Sequence, residues 1–551
     1  MADSPTTIEE LSLEAKVGQL IHAGIGLGNF ETDTGWPTEE MKTVLETVRP
    51  GALRIYGNHR VTPHFMAQYT NQLQEWAADV DPGVPLLISA DCEYGTVDIV
   101  RHETRAYPAL MGRTAAGDLD LAKDVSAAIA QDMLGMGLNM NHQPVVDVNT
   151  NPDNPVIGVR SPGTTPETVA TYSTATLEGI HAEDQVAVAK HFPGHGDTEL
   201  DSHMELPHVT YDRETLERVH LPPFETMIEE GVDCIMTSHV VVECLDPELP
   251  ATLSPTILTG LLRDDLGFDG VVVTDAMMMD AIADNYPVGE AAVQAIEAGA
   301  DLVLTGFVPA DDLLETRDAI LEAVESGRLS ESRIDESVER ILALKARYDV
   351  GERRYVDPLE AIESMASVEH ESIAREAYER SFSVLGNGDV FPLSPDASVL
   401  LTGIRGVPEL EPHLDAAFGD VLTCSLAPGD VRTLDDPKPT MEPESPERSL
   451  ETLRSVADGV DVAVVTTYAR EAFPAGQQRI VEELATTVPV VVVVSLGLSN
   501  EYRDLPDGVA YVATYAQDRL GLPSPLPDTA GEALADVLVR DPDVLESLPV
   551  E

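Results

Sequence analysis

Eight short apolar runs, spread over the first 350 residues and most of them followed by a helix-length amphipathic segment, narrow the fold of this chain more than any other feature. They are Leu20 to Gly24, Ala52 to Tyr56, Pro85 to Ala90, Leu138 to Val146, Val186 to His191, Cys234 to His239, Gly270 to Thr274 and Asp301 to Thr305. Strand and helix alternating at that count and span predict an α/β fold, a (β/α)8 TIM-type barrel over residues 1–350. Periodicity alone also admits an open doubly wound sheet. The polar residues favour the barrel: Asp91, Asp147, His191, His239 and Asp275 stand at or just past the C-terminal end of a run, the face on which barrel active sites form.

Past residue 350 the pattern breaks. Residues 351–395 read as a linker with a connecting helix near Ile373 to Phe382, and 396–551 as a second domain, a C-terminal α/β sandwich. Its expected strands lie near Ser398 to Thr402, Val460 to Thr467, Val488 to Ser495 and Val509 to Thr514. Val488 to Val494 is apolar apart from one proline, as a strand buried on both faces would be. Pro428 to Pro446, rich in Pro, Asp and Glu, reads as an exposed loop.

Charge excludes some partners. With 34 Lys and Arg against 97 Asp and Glu, the formal charge is −63, a field that repels phosphate backbones and anionic lipid heads. Neither nucleic acid nor a membrane is an expected partner. Disorder is the usual reading of so acidic a chain, but 43% hydrophobic residues in patterned runs argue for a packed fold. Only six of the basic residues are lysines (Lys16, Lys42, Lys123, Lys190, Lys345, Lys438), and such acidic, lysine-poor composition resembles that of proteins from salt-accumulating halophiles. Cys92, Cys234, Cys244 and Cys424 show no CxxC spacing, so neither a disulfide framework nor a cysteine-based zinc site is suggested. The first twenty residues lack a basic segment and an apolar segment, and no run of 18 apolar residues occurs, so a soluble, cytoplasmic protein is expected. Oligomeric state is not legible.

Chemistry concentrates in residues 190–207, K-H-F-P-G-H-G-D-T-E-L-D-S-H-M-E-L-P, which carry His191, His195, His203, Asp197, Asp201, Gly194 and Gly196. A loop of that composition can bind metal, serve structure or supply an acid/base group. In an extended stretch residues two apart face the same way, so Asp201 can hydrogen-bond His203 while Ser202 points elsewhere. A carboxylate then fixes the tautomer of an imidazole able to donate and accept a proton near neutrality.

These motifs resemble glycoside hydrolase family 3, in particular its β-N-acetylglucosaminidase branch, whose signature is K-H-F-P-G-H-G-D-T followed by D-S-H. Further matching pieces are L-E-A-K-V-G-Q-L at 13–20, D-C-E-Y-G at 91–95, P-V-V-D-V-N-T-N-P at 144–152, P-V-I-G-V-R-S-P-G at 155–163, P-A-T-L-S-P at 250–255 and V-V-V-T-D-A-M-M-M-D at 271–280. The resemblance implies that Asp275 is the nucleophile, rather than a cap of the following helix, and that His203 with Asp201 is the acid/base pair. It implies that Asp91, Arg160, Lys190 and His191 bind the sugar, that the substrate is an oligosaccharide, and that no cofactor or metal is required. The family usually continues after Asp91 with G-G-R-V and a further arginine. Here Thr96 and Ile99 take those positions, leaving Arg101 as the candidate substitute.

The activity expected from the resemblance is a retaining exo-β-N-acetylglucosaminidase. Another family-3 activity, as a β-glucosidase or a phosphorylase, is the alternative, and a metal-dependent hydrolase using His191, His195, Asp197 and His203 is a further one. Gly194 and Gly196 are expected to let the acid/base loop move. His142, His195 and His239 are expected near the pocket mouth, Cys92 in packing, and Met277 to Met279 in pocket wall or core.

Overall fold

The structure, a computed structural model, describes residues 7–25, 38–56, 61–95, 98–100, 104–426, 446–469, 473–497, 499–515 and 527–539. Thr96, Arg101 and most of the Pro428 to Pro446 loop lie outside the described residues. The chain forms two compact units. One comprises Met1–Thr104, Lys123–Asn151 and Thr165–Ser367, and the other Arg105–Ala122, Pro152–Thr164 and Val368–Glu551.

The first unit is the barrel. Strands β1 (Ile21–Ile25), β2 (Ala52–Ile55), β3 (Leu87–Ala90), β4 (Met140–Asn141) and β5 (Val186–Phe192) pair in sequence, all in parallel. A short β6 (His208–Val209) precedes β7 (Cys234–Thr237), and β8 (Val241–Val242) precedes β9 (Val271–Val273) and β10 (Val303–Phe307). The main sheet runs β10-β1-β2-β3-β4-β5-β7-β9, while β6 and β8 form a separate ribbon. A parallel bridge between Val273 and Leu302, with the Leu302 amide donating to the Val272 carbonyl at 3.0 Å, brings the last two strands together and closes the ring. Each of the eight apolar runs overlaps one of the eight strands of the main sheet, with β1, β5 and β10 extending one or two residues past the run. The fourth is the shortest: Leu138 to Val146 reads as one strand, yet ladder pairing covers only Met140–Asn141. Pro144 has no N–H to donate, and pairing resumes as a bridge between Val145 and Lys190.

Local sequence starts the surrounding helices. Thr62 caps Pro63–Ala78, accepting from the Phe65 amide at 3.3 Å with proline in the first turn, and Thr165 caps Pro166–Ala182 the same way. At the N-terminal end of the barrel two buried carboxylates tie strands to helices. Asp233, just before β7, accepts from His181 (2.9 Å), Tyr348 (2.7 Å) and the Ala187 amide (3.0 Å). Asp301, before β10, accepts from Arg263 (2.5 Å), Ser337 (2.6 Å), Arg340 (3.2 Å) and the Val272 amide (3.0 Å).

The second unit is an α/β domain around a six-stranded sheet. Its strands are β11 (Ser383–Gly386), β12 (Val399–Gly403), β13 (Val421–Ser425), β14 (Val462–Thr467), β15 (Val490–Ser495) and β16 (Ala510–Ala513), in the order β11-β16-β15-β14-β12-β13. All pairs are parallel except β11 with β16. β15 and β14 are central and buried, as the valine run implies, and their side chains share one core with Leu410, Leu414 and Leu534 from the helices. β11 and β13 went unread in the sequence. β13 is an edge strand, half-exposed along its length, and its pattern carries little apolar signal. β11 lies within the stretch read as a linker, after the helix Val368–Ser381.

Candidate active site

Around the C-terminal ends of the strands the barrel turns from apolar to charged. Asp91 follows β3 directly, and its carboxylate is held by two cations: Lys190 from β5 donates to Oδ1 at 2.6 Å, and Arg54 from β2 contacts Oδ2. Lys190 also pairs with Glu93 at 2.7 Å and is completely buried. Arg54 donates to His142 Nδ1 at 3.3 Å and lies over the Tyr56 ring, 4.4 Å from its centroid. Two buried cations thus face two buried carboxylates, the arrangement that makes charge tolerable in a low-dielectric interior.

A second carboxylate organises β5. Asp147, fully buried after β4, accepts from His191 Nδ1 at 2.7 Å and from the His195 amide at 2.7 Å. Burial alone would raise its pKa, but the His191 imidazole and the His195 amide outweigh that and hold it below the usual carboxylate range. The pair fixes His191 with its proton on Nδ1.

Asp275 stands two residues past β9. Its own amide donates to Thr237 at 3.4 Å, and its carboxylate accepts from the Ala276 amide at 2.7 Å. Burial pushes its pKa up, yet His191, His239 and His203 act against this and, with the Ala276 amide, hold the carboxyl far below the normal range. Asp275 is therefore an anion throughout the physiological range. His239, also fully buried, commits both ring nitrogens, one to Thr252 at 2.8 Å and the other to the Ala276 carbonyl at 3.1 Å, so it shapes the loop that carries Asp275.

The loop after β5 brings His203 to this centre. Asp201 and His203 are joined as expected, Nδ1 to Oδ1 at 2.8 Å, but by a turn and not an extended stretch: the same oxygen accepts from the His203 amide at 2.9 Å. Asp201 is 10% exposed and His203 53%, so the imidazole reaches solvent while its partner is held. Ser202 points the other way, into the protein, against His195 Nε2 at 2.9 Å. His195 Nδ1 meets Thr198 at 2.8 Å, and because the Thr198 hydroxyl donates to the His195 carbonyl, it accepts from Nδ1–H, leaving Nε2 to accept from Ser202. Burial pushes the His195 pKa down to about 4. It is a neutral staple across the loop.

The two glycines serve different ends. Gly194 has φ +127°, which a side chain disfavours, whereas a Cβ on Gly196 would sit 1.9 Å from the Val148 carbonyl oxygen. Gly196 is there for close packing, so the expected freedom of movement does not apply to it.

Thus the barrel unit brings together Asp91, Lys190, His191, Asp201, His203 and Asp275. Arg160 falls in the other compact unit, on the turn Gly158–Arg160, where it donates to the Val156 carbonyl at 3.0 Å. Cys92 is buried packing, and Met277 and Met279 are core while Met278 is exposed. The side chains suggested for a metal site have separate partners, His195 on hydroxyls, Asp197 on Thr150 at 2.7 Å and His203 on Asp201. Arg54 was missed by the sequence reading. The available signal was an arginine inside an otherwise apolar strand run, A-L-R-I-Y.

Comparison with known proteins agrees with this architecture. Residues 12–344 match the model of the glycosyl hydrolase family 3 N terminal domain. Beta-hexosaminidase A of Pseudoalteromonas piscicida is 32% identical over 372 residues, which are 64% of this chain and 61% of that protein. The beta-N-acetylglucosaminidase/beta-glucosidase of Cellulomonas fimi is 31% identical over 55% of this chain and 54% of its own length, so the chain spans little more than half of these two relatives. A glycoside hydrolase family 3 beta-N-acetylglucosaminidase from Paenibacillus sp. str. FPU-7 superposes with a TM-score of 0.84 at 35% identity, covering 98% of this chain and 99% of that one. With the barrel, the strand-end carboxylates and a family match over more than half its length, the chain belongs to glycosyl hydrolase family 3.

Proposed function

We propose that the protein is a retaining exo-β-N-acetylglucosaminidase with Asp275 as nucleophile and His203, oriented by Asp201, as acid/base. The observation that carries this reading is an ionised Asp275 carboxylate within electrostatic reach of His203, whose Nδ1 is tied to Asp201. In the first step Asp275 attacks the anomeric carbon as the glycosidic bond breaks, and protonated His203 gives its proton to the leaving oxygen. In the second, neutral His203 takes a proton from water, which attacks the same carbon and releases Asp275. The carboxylate of Asp201 keeps the proton on Nδ1, so Nε2 is the nitrogen that exchanges protons with substrate. Asp91, Lys190 and His191 bind the non-reducing sugar.

Three features support the N-acetylglucosaminide over a glucoside: the D-S-H loop, the hexosaminidase relatives, and the superposition at 35% identity over nearly the whole chain. The test is turnover of aryl β-N-acetylglucosaminide against aryl β-glucoside, with and without phosphate. Preferred hydrolysis of the former is expected, and Asp275→Asn should lower kcat by on the order of 10⁴-fold or more. Release of sugar phosphate would assign phosphorolysis instead. Retention of activity by Asp275→Asn would sink the mechanism.

A further inference from the structure

The charged cluster at the barrel centre contains one member that neither the motif nor its spacing accounts for. Arg54 is the third residue of β2, a strand buried at every position, and is itself only 7% exposed. Its neighbours in register are Gly24 and Ser89, so space on one side comes from a residue with no side chain. The guanidinium is fixed on three sides: by the Asp91 carboxylate, by His142 Nδ1 and by the Tyr56 ring. Asp91 in turn has one cation on each oxygen, Lys190 on Oδ1 and Arg54 on Oδ2. A carboxylate has about four acceptor sites, and two cations placed this way set the plane in which the others point. Ile99, on the segment after Asp91, is buried and supplies no charge there.

We infer that Arg54 is a positioning residue for the reaction: it fixes the Asp91 carboxylate in the orientation that accepts hydrogen bonds from the hydroxyls of the non-reducing pyranose. This rests on the proposed role of Asp91 in sugar binding. Lysine at position 54 would keep the charge but lose the planar fork that grips an oxygen while stacking on Tyr56. Methionine would leave Asp91 and Glu93 with Lys190 as their remaining cation in the Arg54–Lys190 pair, so the carboxylate would turn toward it.

The experiment is steady-state kinetics of the full chain on an aryl β-N-acetylglucosaminide and its 3-deoxy, 4-deoxy and 6-deoxy forms, comparing wild type with Arg54→Lys, Arg54→Met and Asp91→Asn. Arg54→Met should raise KM on the order of 10-fold or more with a smaller change in kcat, and Arg54→Lys should fall between it and wild type. The deoxy form that costs the wild type most should cost Arg54→Met far less, because the carboxylate that reads that hydroxyl is already misdirected. A merely structural arginine would lower the thermal midpoint and leave the hydroxyl penalties unchanged; that result overturns the inference. Should Arg54→Met fail to fold, unchanged KM and penalties in Arg54→Lys overturn it equally. If Asp91→Asn leaves KM unchanged, the sugar-binding role of Asp91 fails and the inference with it. If Asp91→Asn raises KM while both Arg54 variants match wild type, the role of Arg54 alone is refuted.

Discussion

His203 and His195 sit eight positions apart on one loop and do opposite work, because one faces solvent and the other does not. His203 keeps an accessible ring beside its carboxylate, as the acid/base role proposed for it requires. His203→Ala should lower kcat by about 10²- to 10⁴-fold for alkyl glycosides and much less for aryl glycosides with acidic leaving groups, since the latter depart without a proton. An equal loss for both classes would argue against an acid role. His195, pushed down to about 4 by burial, couples stability to pH. Its folded pKa lies below the unfolded value of about 6.5, so between the two the unfolded chain binds more protons and stability falls as pH drops. The contribution is complete above about pH 6.5 and lost by about pH 4, amounting to ~3 kcal/mol. His22 and His239, also buried and shifted down, act in the same direction. The urea midpoint of His195→Gln should therefore depend less steeply on pH than that of wild type; equal slopes would count against the assignment.

Among the elements, the barrel seam bears on stability and the acid/base loop on activity as well. Asp301 at the N-terminal end of β10 gathers Arg263, Arg340 and Ser337 where the last two strands, β9 and β10, meet. Asp301→Ala leaves these half-buried arginines without their buried counter-ion and should cost about 2–3 kcal/mol in denaturant unfolding, with KM unchanged because the strand ends that carry Asp91 and Asp275 are at the opposite face. Gly196→Ala should affect activity as well. Its methyl would meet the Val148 carbonyl, a backbone atom that cannot swing aside, so the loop that carries Asp201 and His203 must shift, and both kcat and the thermal midpoint should fall. Elements with strong patterns were legible in the sequence: all eight barrel strands, and β12, β14, β15 and β16. Those that were not had weak signals for physical reasons: β13 is an exposed edge, β11 is an edge strand buried only at its first residue, and β6 and β8 have two residues each.

At the scale of the whole molecule, the chain carries a charge of −63, and several arginines among the described residues are already engaged, as Arg328 is with Glu290 and Glu297, and Arg375 with Glu379 and Asp536. The remaining carboxylates repel one another, and molar salt shortens the Debye length to about 3 Å. We expect the thermal midpoint and activity to rise with KCl, with loss of structure or activity below about 0.5 M; full activity in dilute buffer would rule out adaptation to a saline milieu. The sequence by itself determined the alternation of eight strands with helices, through periodicities that are local, and that Asp201 and His203, two residues apart, could pair; the closing of the ring by the Val273–Leu302 bridge and the turn that joins the pair belong to the structure. Only the tertiary structure decided that Arg54 faces Asp91, that Lys190 is shared with Glu93, that Asp147 orients His191, and that Arg160 groups with the other compact unit. Those partners are separated by tens of residues, and whether two such side chains meet depends on strand register summed around the barrel, which no local pattern encodes.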